Sequence, residues 1–230
     1  MCGITLFLSK NNEKNAIQHV LNSLYQLQNR GYDSFGIAHY DTQDKLFKII
    51  KKAQMNGFDS SKDLYKDFNK LCENIHSSMC VGHSRWATHG MINDVNAHPH
   101  ISNNNTFICV HNGIIENFQV LKNELIECGY HFSSQTDTEV IVNLIDYHYK
   151  ELGEQQDIYK RLCDSIILAT NKLCGTYGLI IMNNIYPEHV FLIKNGSPLL
   201  IAENDNGLYA SSELCGFNNK VQHYMEVDNK

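Results

Sequence analysis

The opening residues MCGITLFL place a cysteine directly behind the initiator methionine. A thiol that must lie beside the chain's own α-amino group can occupy only the first position of a mature protein, and Cys2 takes that position if Met1 is removed. Cys2 then has two candidate roles: an N-terminal nucleophile, or a small hydrophobe on the first strand of an ordinary core. Five further segments carry more reactive side chains than structure requires: RGYDS (30–34), GHSRWATHG (82–90), NAHPH (96–100), HNG (111–113) and TDTE (136–139). Each follows a strand-like run or precedes a helical one, where binding groups are displayed. Singly they have plain explanations. Arg30 and Asp33 can pair across a turn, Asn112-Gly113 can be an ordinary turn, and Asp137 can support a helix N-terminus. His83, His89, His98, His100 and His111 crowd one short region, but zinc sites show tighter ligand spacing or a helical pair. We expect neither a metal nor a cofactor.

Alternating elements must position these segments. EKNAIQHVLNSLYQLQN (13–29) places Ile17, Val20, Leu21, Leu24 and Leu27 on one helical face and should end before Gly31. SFGIAHY and KLFKIIK read as strands around DTQD. SSKDLYKDFNKLCENI reads as a helix with Leu64, Phe68, Leu71 and Ile75 inward. MCVGHS and TFICVH are strand-like, and the stretch between them has no sustained period, so it reads as a long loop. NFQVLKNELIEC is a helix stopped at Gly129, and SSQTDTEVIVNLIDYHYK carries a Thr136-x-x-Glu139 capping box that puts Asp137 at a helix start. After the helical DIYKRLCDSIILATNKL, the segments GTYGLIIM, HVFLIK, PLLIAE, GLYAS and KVQHYMEV make the last third mostly antiparallel β, with Asn195-Gly196 as a hairpin turn. The result is an α+β layered architecture.

Composition narrows the background. The chain has 230 residues, 43% of them hydrophobic, and neither an internal repeat nor a low-complexity tract, so it reads as one domain over 1–230. With 19 Lys+Arg against 25 Asp+Glu and no basic block, neither nucleic acid nor an anionic membrane is expected as a partner. No apolar run is long enough to span a bilayer and the N-terminus lacks a secretory pattern, so a cytoplasmic protein is expected. In a reducing compartment, with no CxxC spacing, most of Cys72, Cys80, Cys109, Cys128, Cys163, Cys174 and Cys215 should be buried free thiols.

Taken together, MCGI, LQNRGYDSFGIA, GHSRWATHG, NAHPH, HNGIIEN and SQTDTEV resemble the glutaminase domain of class II glutamine amidotransferases, in order from Cys2 to about Val227. RGYDS, RWATHG and HNGIIEN are most similar to the glucosamine-6-phosphate synthase (glutamine:fructose-6-phosphate amidotransferase) branch of that class. The resemblance implies an N-terminal nucleophile hydrolase fold, a four-layer αββα sandwich. It also implies hydrolysis of L-glutamine to glutamate and ammonia through a γ-glutamyl thioester on Cys2.

By the same resemblance, Asn112 and Gly113 hold the oxyanion and Arg30 lies beside the nucleophile with Tyr32 and Asp33 supporting its loop. Arg85 takes the substrate α-carboxylate and Asp137 its ammonium, while Trp86, Thr88 and His89 lie on a loop that closes over glutamine. The physical chemistry agrees. A free α-amino group, with a reference pKa of about 7.7–8, can take a proton from a nearby thiol and return it. The sugar-phosphate isomerase domains that follow the glutaminase domain in the family have no counterpart in this sequence. The expected partners are therefore L-glutamine and a synthase domain or subunit of hexosamine biosynthesis. A catalytically silent glutamine-binding copy, or a subunit giving ammonia to a different acceptor, remain the alternatives.

Overall fold

The structure is a computed structural model that describes residues 2–54, 61–87, 90–154 and 157–230. β1 (Gly3–Ser9) is buried on both faces: Ile4 and Leu6 enter one core and Phe7 another. A near-continuous apolar run, broken here by the buried Thr5, suits such a strand. α1 (Ala16–Gln26) follows, with Ile17, Val20, Leu21 and Leu24 on its buried face, and a 3-10 turn at Leu27–Asn29 delivers the chain to Arg30. β2 (Ser34–Asp41) and β3 (Leu46–Ala53) form an antiparallel pair. α2 (Ser61–Cys72) then leads to β4 (Met79–Arg85), which lies between β1 and β2. Gly82 in β4 lets α1 lie close on the sheet, since a Cβ there would sit 2.5 Å from Val20 Cγ1.

A second sheet is built by β5 (His100–Ile101), β6 (Phe107–Ile115), β7 (Gly175–Asn183) and β8 (Val190–Asn195), in that spatial order and antiparallel throughout. α3 (Phe118–Glu127), α4 (Asp137–Glu151) and α5 (Ile158–Lys172) intervene between β6 and β7. The chain then returns to the first sheet through β9 (Leu200–Glu203), β10 (Gly207–Ser211) and the short edge strand β11 (Met225–Glu226). The larger sheet has seven strands in the order β11-β9-β10-β1-β4-β2-β3.

Three apolar layers bind these elements. Val20, Leu24, Leu64 and Phe68 pack α1 and α2 on the outer face of the larger sheet. Ile4, Leu6, Ala38 and Val81 face Ile108, Val110, Ile180 and Met182 between the sheets. Leu121, Val140, Ile145 and Ile166 pack the remaining helices on the smaller sheet. The order is helix, sheet, sheet, helix, as the resemblance implied. Among the described residues no helix is long and apolar enough to cross a membrane.

Several local expectations are corrected. Asn195-Gly196 does not close a hairpin: β8 belongs to the smaller sheet and β9 to the larger, so the chain changes sheets there. Asn112-Gly113 is not a turn but lies within β6, whose ladder with β7 runs on to Ile115. Leu71 is 53% exposed because α2 buries Leu64, Phe68 and Cys72, a spacing of four that leaves Leu71 outside the stripe. The capping box does not form. Thr136 makes no side-chain cap; its Oγ1 is taken by His100 Nε2 and Ser134 Oγ, both at 2.9 Å. Glu139 instead accepts from Ser133 N, Ser133 Oγ and Ser134 N. Of the structural cysteines, Cys72, Cys80 and Cys109 are buried, whereas Cys128, Cys174 and Cys215 are exposed and Cys163 is half-buried; all are free.

Candidate active site

β1 and β4 are antiparallel neighbours, with Gly3 opposite Ser84, so the start of one strand meets the end of the other. That register brings Cys2 beside Arg85 and Trp86, and Cys2 Sγ lies 3.8 Å from the Trp86 carbonyl oxygen. Across the gap between the sheets, β6 supplies His111 and Gly113, and the first turn of α4 supplies Asp137. Cys2, Arg85, Trp86, Gly113 and Asp137 line one cleft, with His98, His111 and Thr136 in its wall.

Arg85 is buried, and its Nη1 donates to the Met91 carbonyl at 3.2 Å. That carbonyl also accepts from Asn96 Nδ2 at 2.9 Å, and Gln135 joins the same group by accepting from Met91 N at 3.0 Å. Arg85 is thereby fixed against the segment that precedes α4. Asp137 is buried at the helix start, where negative charge is favoured. Its Oδ2 accepts from Ile115 N at 2.9 Å, and its Oδ1 lies 3.7 Å from His111 Nδ1. The helix and the strand end are tied by one carboxylate.

Asn112 is fully buried, and neither atom of its amide has a hydrogen-bond partner among the described residues. Gly113 has φ of 147°, and a Cβ there would meet the Thr176 carbonyl oxygen at 2.0 Å. Only glycine fits so close to β7 in that conformation.

Around the nucleophile candidate, Arg30 is buried and its Nε donates to the Cys2 carbonyl at 3.2 Å. Its Nη1 pairs with Glu213 Oε1. Burial opposes ionisation of Glu213, but the hydrogen bonds from Arg30 and Asn29 outweigh it and hold the carboxyl below its usual range. Asp33 accepts from the backbone N–H of Ala87 and from Ser34 Oγ at 3.2 Å, bracing the chain past Trp86. Burial raises the Asp33 carboxyl, against the pull of those bonds and of Arg85. Tyr32 packs edge-on against Trp86 with ring centroids 5.6 Å apart, both rings half exposed.

Burial also pushes the Cys2 thiol up, and Asp33 adds to the rise, against the opposing influence of the Trp86 backbone and Arg85. A thiol held protonated needs a base to become a nucleophile. Behind the cleft, burial lowers His83 to about 3 and carries His98 and His100 well below the ordinary imidazole range. The His83 and His98 rings lie 4.0 Å apart, and His83 Nε2 donates to the His111 carbonyl at 3.1 Å. Since a carbonyl only accepts, that nitrogen carries the hydrogen, and the bond ties β4 to β6 one residue before Asn112. Among the described residues no three His, Cys, Asp or Glu side chains group as metal ligands.

The structure thus assembles Cys2, Arg30, Arg85, Trp86, Gly113 and Asp137, with Asn112 directly behind Gly113 on β6. Thr88 and His89 lie outside the described residues. Sequence reasoning missed Glu213, Met91, Asn96 and Gln135. Only Asn96 lies in a motif rich in reactive types, and the other three act through a single carboxylate, a main-chain carbonyl and a single amide.

Residues 83–219 match the family model described as a glutamine amidotransferase domain. A glutamine–fructose-6-phosphate aminotransferase of Clostridium acetobutylicum is 36% identical over all of this chain and 34% of its own length. The enzyme of that name from Chlamydia trachomatis is 39% identical over 94% of this chain and 32% of its own. The chain therefore spans about a third of the length of the curated relatives it matches. Among solved structures, the glutamine phosphoribosylpyrophosphate amidotransferase of Bacillus subtilis superposes with a TM-score of 0.77 at 25% identity, over 99% of this chain and 46% of that one. The architecture is the N-terminal nucleophile hydrolase αββα sandwich.

Proposed function

Because the chain belongs to the glutamine amidotransferase domain family, we propose that it hydrolyses the side-chain amide of L-glutamine through a γ-glutamyl thioester on Cys2. One observation carries this reading: a thiol, a guanidinium, a strand glycine and a carboxylate from four separate parts of the chain line a single cleft. Removal of Met1 frees the Cys2 amine, and that amine, directly or through a water, takes the proton that burial keeps on the thiol. Sγ attacks the amide carbon, forming a C–S bond as the carbonyl electron pair moves to oxygen. The oxyanion is held by the Asn112 side-chain amide and the Gly113 backbone N–H. An unpartnered amide beside a glycine that lines the cleft suits that task. Collapse breaks the C–N bond, and the amine's proton goes to the leaving nitrogen as ammonia departs. Water then attacks the thioester, its proton passes to the amine, and as the C–S bond breaks the amine returns that proton to the sulfur, restoring the thiol and releasing glutamate.

Arg85 takes the α-carboxylate in a planar two-donor contact and Asp137 takes the α-ammonium, so both charged ends of the amino acid are measured. Trp86 stands at the cleft beside Cys2, where its ring covers bound glutamine and excludes water. Arg30 orders the nucleophile through its bond to the Cys2 carbonyl. The names of the relatives support a further step, in which the ammonia is passed to fructose 6-phosphate on a sugar-isomerase domain or subunit, making this the glutaminase half of a glucosamine-6-phosphate synthase.

The test is steady-state glutamate release by the processed chain and by Cys2→Ser. Serine should keep the fold and the binding of glutamine but lose most turnover, because an alcohol is a far poorer nucleophile when its only base is an amine. Near-wild-type rates in Cys2→Ser would remove the assignment.

A further inference from the structure

The turn after β10 reaches back over the start of β1. Ser212 grips Ile4 twice, its N–H donating to the Ile4 carbonyl at 3.0 Å and its Oγ accepting from Ile4 N at 3.1 Å. Glu213 follows directly, with its own N–H donating to Ser211 Oγ at 3.2 Å. Two residues beyond Leu214, Gly216 packs so tightly that a Cβ would sit 2.0 Å from Ser211 Oγ, and its carbonyl accepts from Ser23 Oγ of α1. The backbone around Glu213 therefore has little freedom, and the direction of its carboxylate is set.

That carboxylate pairs with Arg30 and also accepts from Asn29 Nδ2 at 3.4 Å. Arg30 is buried and, among the described residues, pairs with no carboxylate other than Glu213; its Nη2 has no acceptor there. A buried guanidinium so placed depends on its one carboxylate, and removal of that partner leaves an uncompensated charge that must move. Arg30 Nε bonds the Cys2 carbonyl and so fixes the Cys2–Gly3 peptide plane. The Cys2 Cα, from which both the amine and the thiol hang, is located by that plane.

We propose that Glu213 is a positioning residue for the Cys2 nucleophile, acting through Arg30. The proposal rests on the assignment of Cys2 made above. It places the requirement for Glu213 on the chemical step rather than on glutamine binding, because the carboxylate acts on the nucleophile's peptide and not on the charged ends of the substrate.

The experiment compares the processed full chain with Glu213→Ala, Glu213→Gln, Arg30→Ala and the Glu213→Ala/Arg30→Ala double variant. Rates are expressed per Cys2 thiol titrated to completion by a glutamine-site thiol reagent, so that unfolded molecules are not counted. Displacement of a reacting group by about 1 Å costs up to about 100-fold, so Glu213→Ala should lower kcat per titrated thiol roughly 10- to 100-fold, with KM for glutamine within about twofold. Glu213→Gln, which keeps an acceptor for Arg30, should recover part of that loss. The double variant should be no slower than Arg30→Ala alone, because both substitutions break one connection. Unchanged kcat per titrated thiol, a loss expressed in KM, or losses that multiply in the double variant would overturn the proposal. If Glu213→Ala does not fold, Glu213→Gln and its combination with Arg30→Ala decide by the same criteria. Failure of the Cys2 assignment shows separately, as turnover surviving in Cys2→Ser.

Discussion

Replacing Asn112 by leucine should move stability and activity in different directions. The side chain is fully buried on β6 and neither polar atom has a partner among the described residues. Burying an amide in that state costs about 1–3 kcal/mol on mutational scales. Leucine keeps the branched outline without the polar atoms, so Asn112→Leu removes that cost. Against it stands the strain of fitting tetrahedral methyls where a planar amide lay, about 1 kcal/mol or more in a close-packed core. The net change lies between roughly neutral and about 2 kcal/mol stabilising, and at about 2–4 °C per kcal/mol for a chain of this size the melting temperature should be unchanged or several degrees higher. Activity should fall steeply. Loss of one oxyanion donor raises the barrier by about 2.7–4 kcal/mol, or about 100- to 1000-fold in kcat. Calorimetry and glutamate release on the same preparation test both halves. A variant that melts well below the parent yet keeps its kcat would show that the buried amide serves the fold, and the oxyanion assignment would fall.

Arg85→Lys should raise KM for glutamine about 10-fold or more, since one ammonium cannot replace a planar two-donor contact worth about 1.5–3 kcal/mol. Asp137→Asn should do the same while keeping an acceptor for Ile115 N, so its melting temperature should stay near the parent's; an unchanged KM in both would put the clamp elsewhere. Stability should fall with acid because His83, His98 and His100 have folded-state pKa values below the unfolded value of about 6.5. Above that pH the imidazoles are neutral in both states and nothing changes. Below it the unfolded chain binds protons that the folded chain refuses, so each histidine lowers stability by about 1.4 kcal/mol per pH unit, down to about 3 for His83. Urea midpoints at pH 7.5 and 5.5 check this, and equal midpoints would contradict the buried neutral cluster.

The layers were legible where one face of an element is buried. Ile17, Val20, Leu21 and Leu24 repeat at helical spacing, and each lies on the buried face of α1. Cys2, Arg30, Arg85, Trp86 and Gly113, which the fold brings together, were legible because their segments concentrate reactive side chains. What failed depends on partners distant in sequence. Asn195-Gly196 has hairpin chemistry, but which sheet receives the next strand is decided by packing on β10, not by the turn. Thr136 has capping chemistry, but His100 from another strand competes for its hydroxyl. HNG looked like a loop because a strand interior rarely carries Asn-Gly; here the ladder with β7 holds both residues within the strand, with Gly113 at a φ of 147° that glycine permits. Glu213 stands alone in SSELCG, and its importance comes from Arg30, far away in the chain and joined to it only by the fold. Nothing local marks it.

The proposed chemistry requires Cys2, freed of Met1, to bond covalently to the γ-glutamyl group. Intact-mass measurement of the purified chain, before glutamine and after a rapid acid quench during turnover, reads methionine removal and adduct formation together. The expected result is a parent mass lacking one methionine, and after the quench a second species heavier by one γ-glutamyl group, which peptide mapping places on Cys2 and which is missing from Cys2→Ser. Steady turnover by a chain that retains Met1, or an adduct mapped to any other residue, would contradict it.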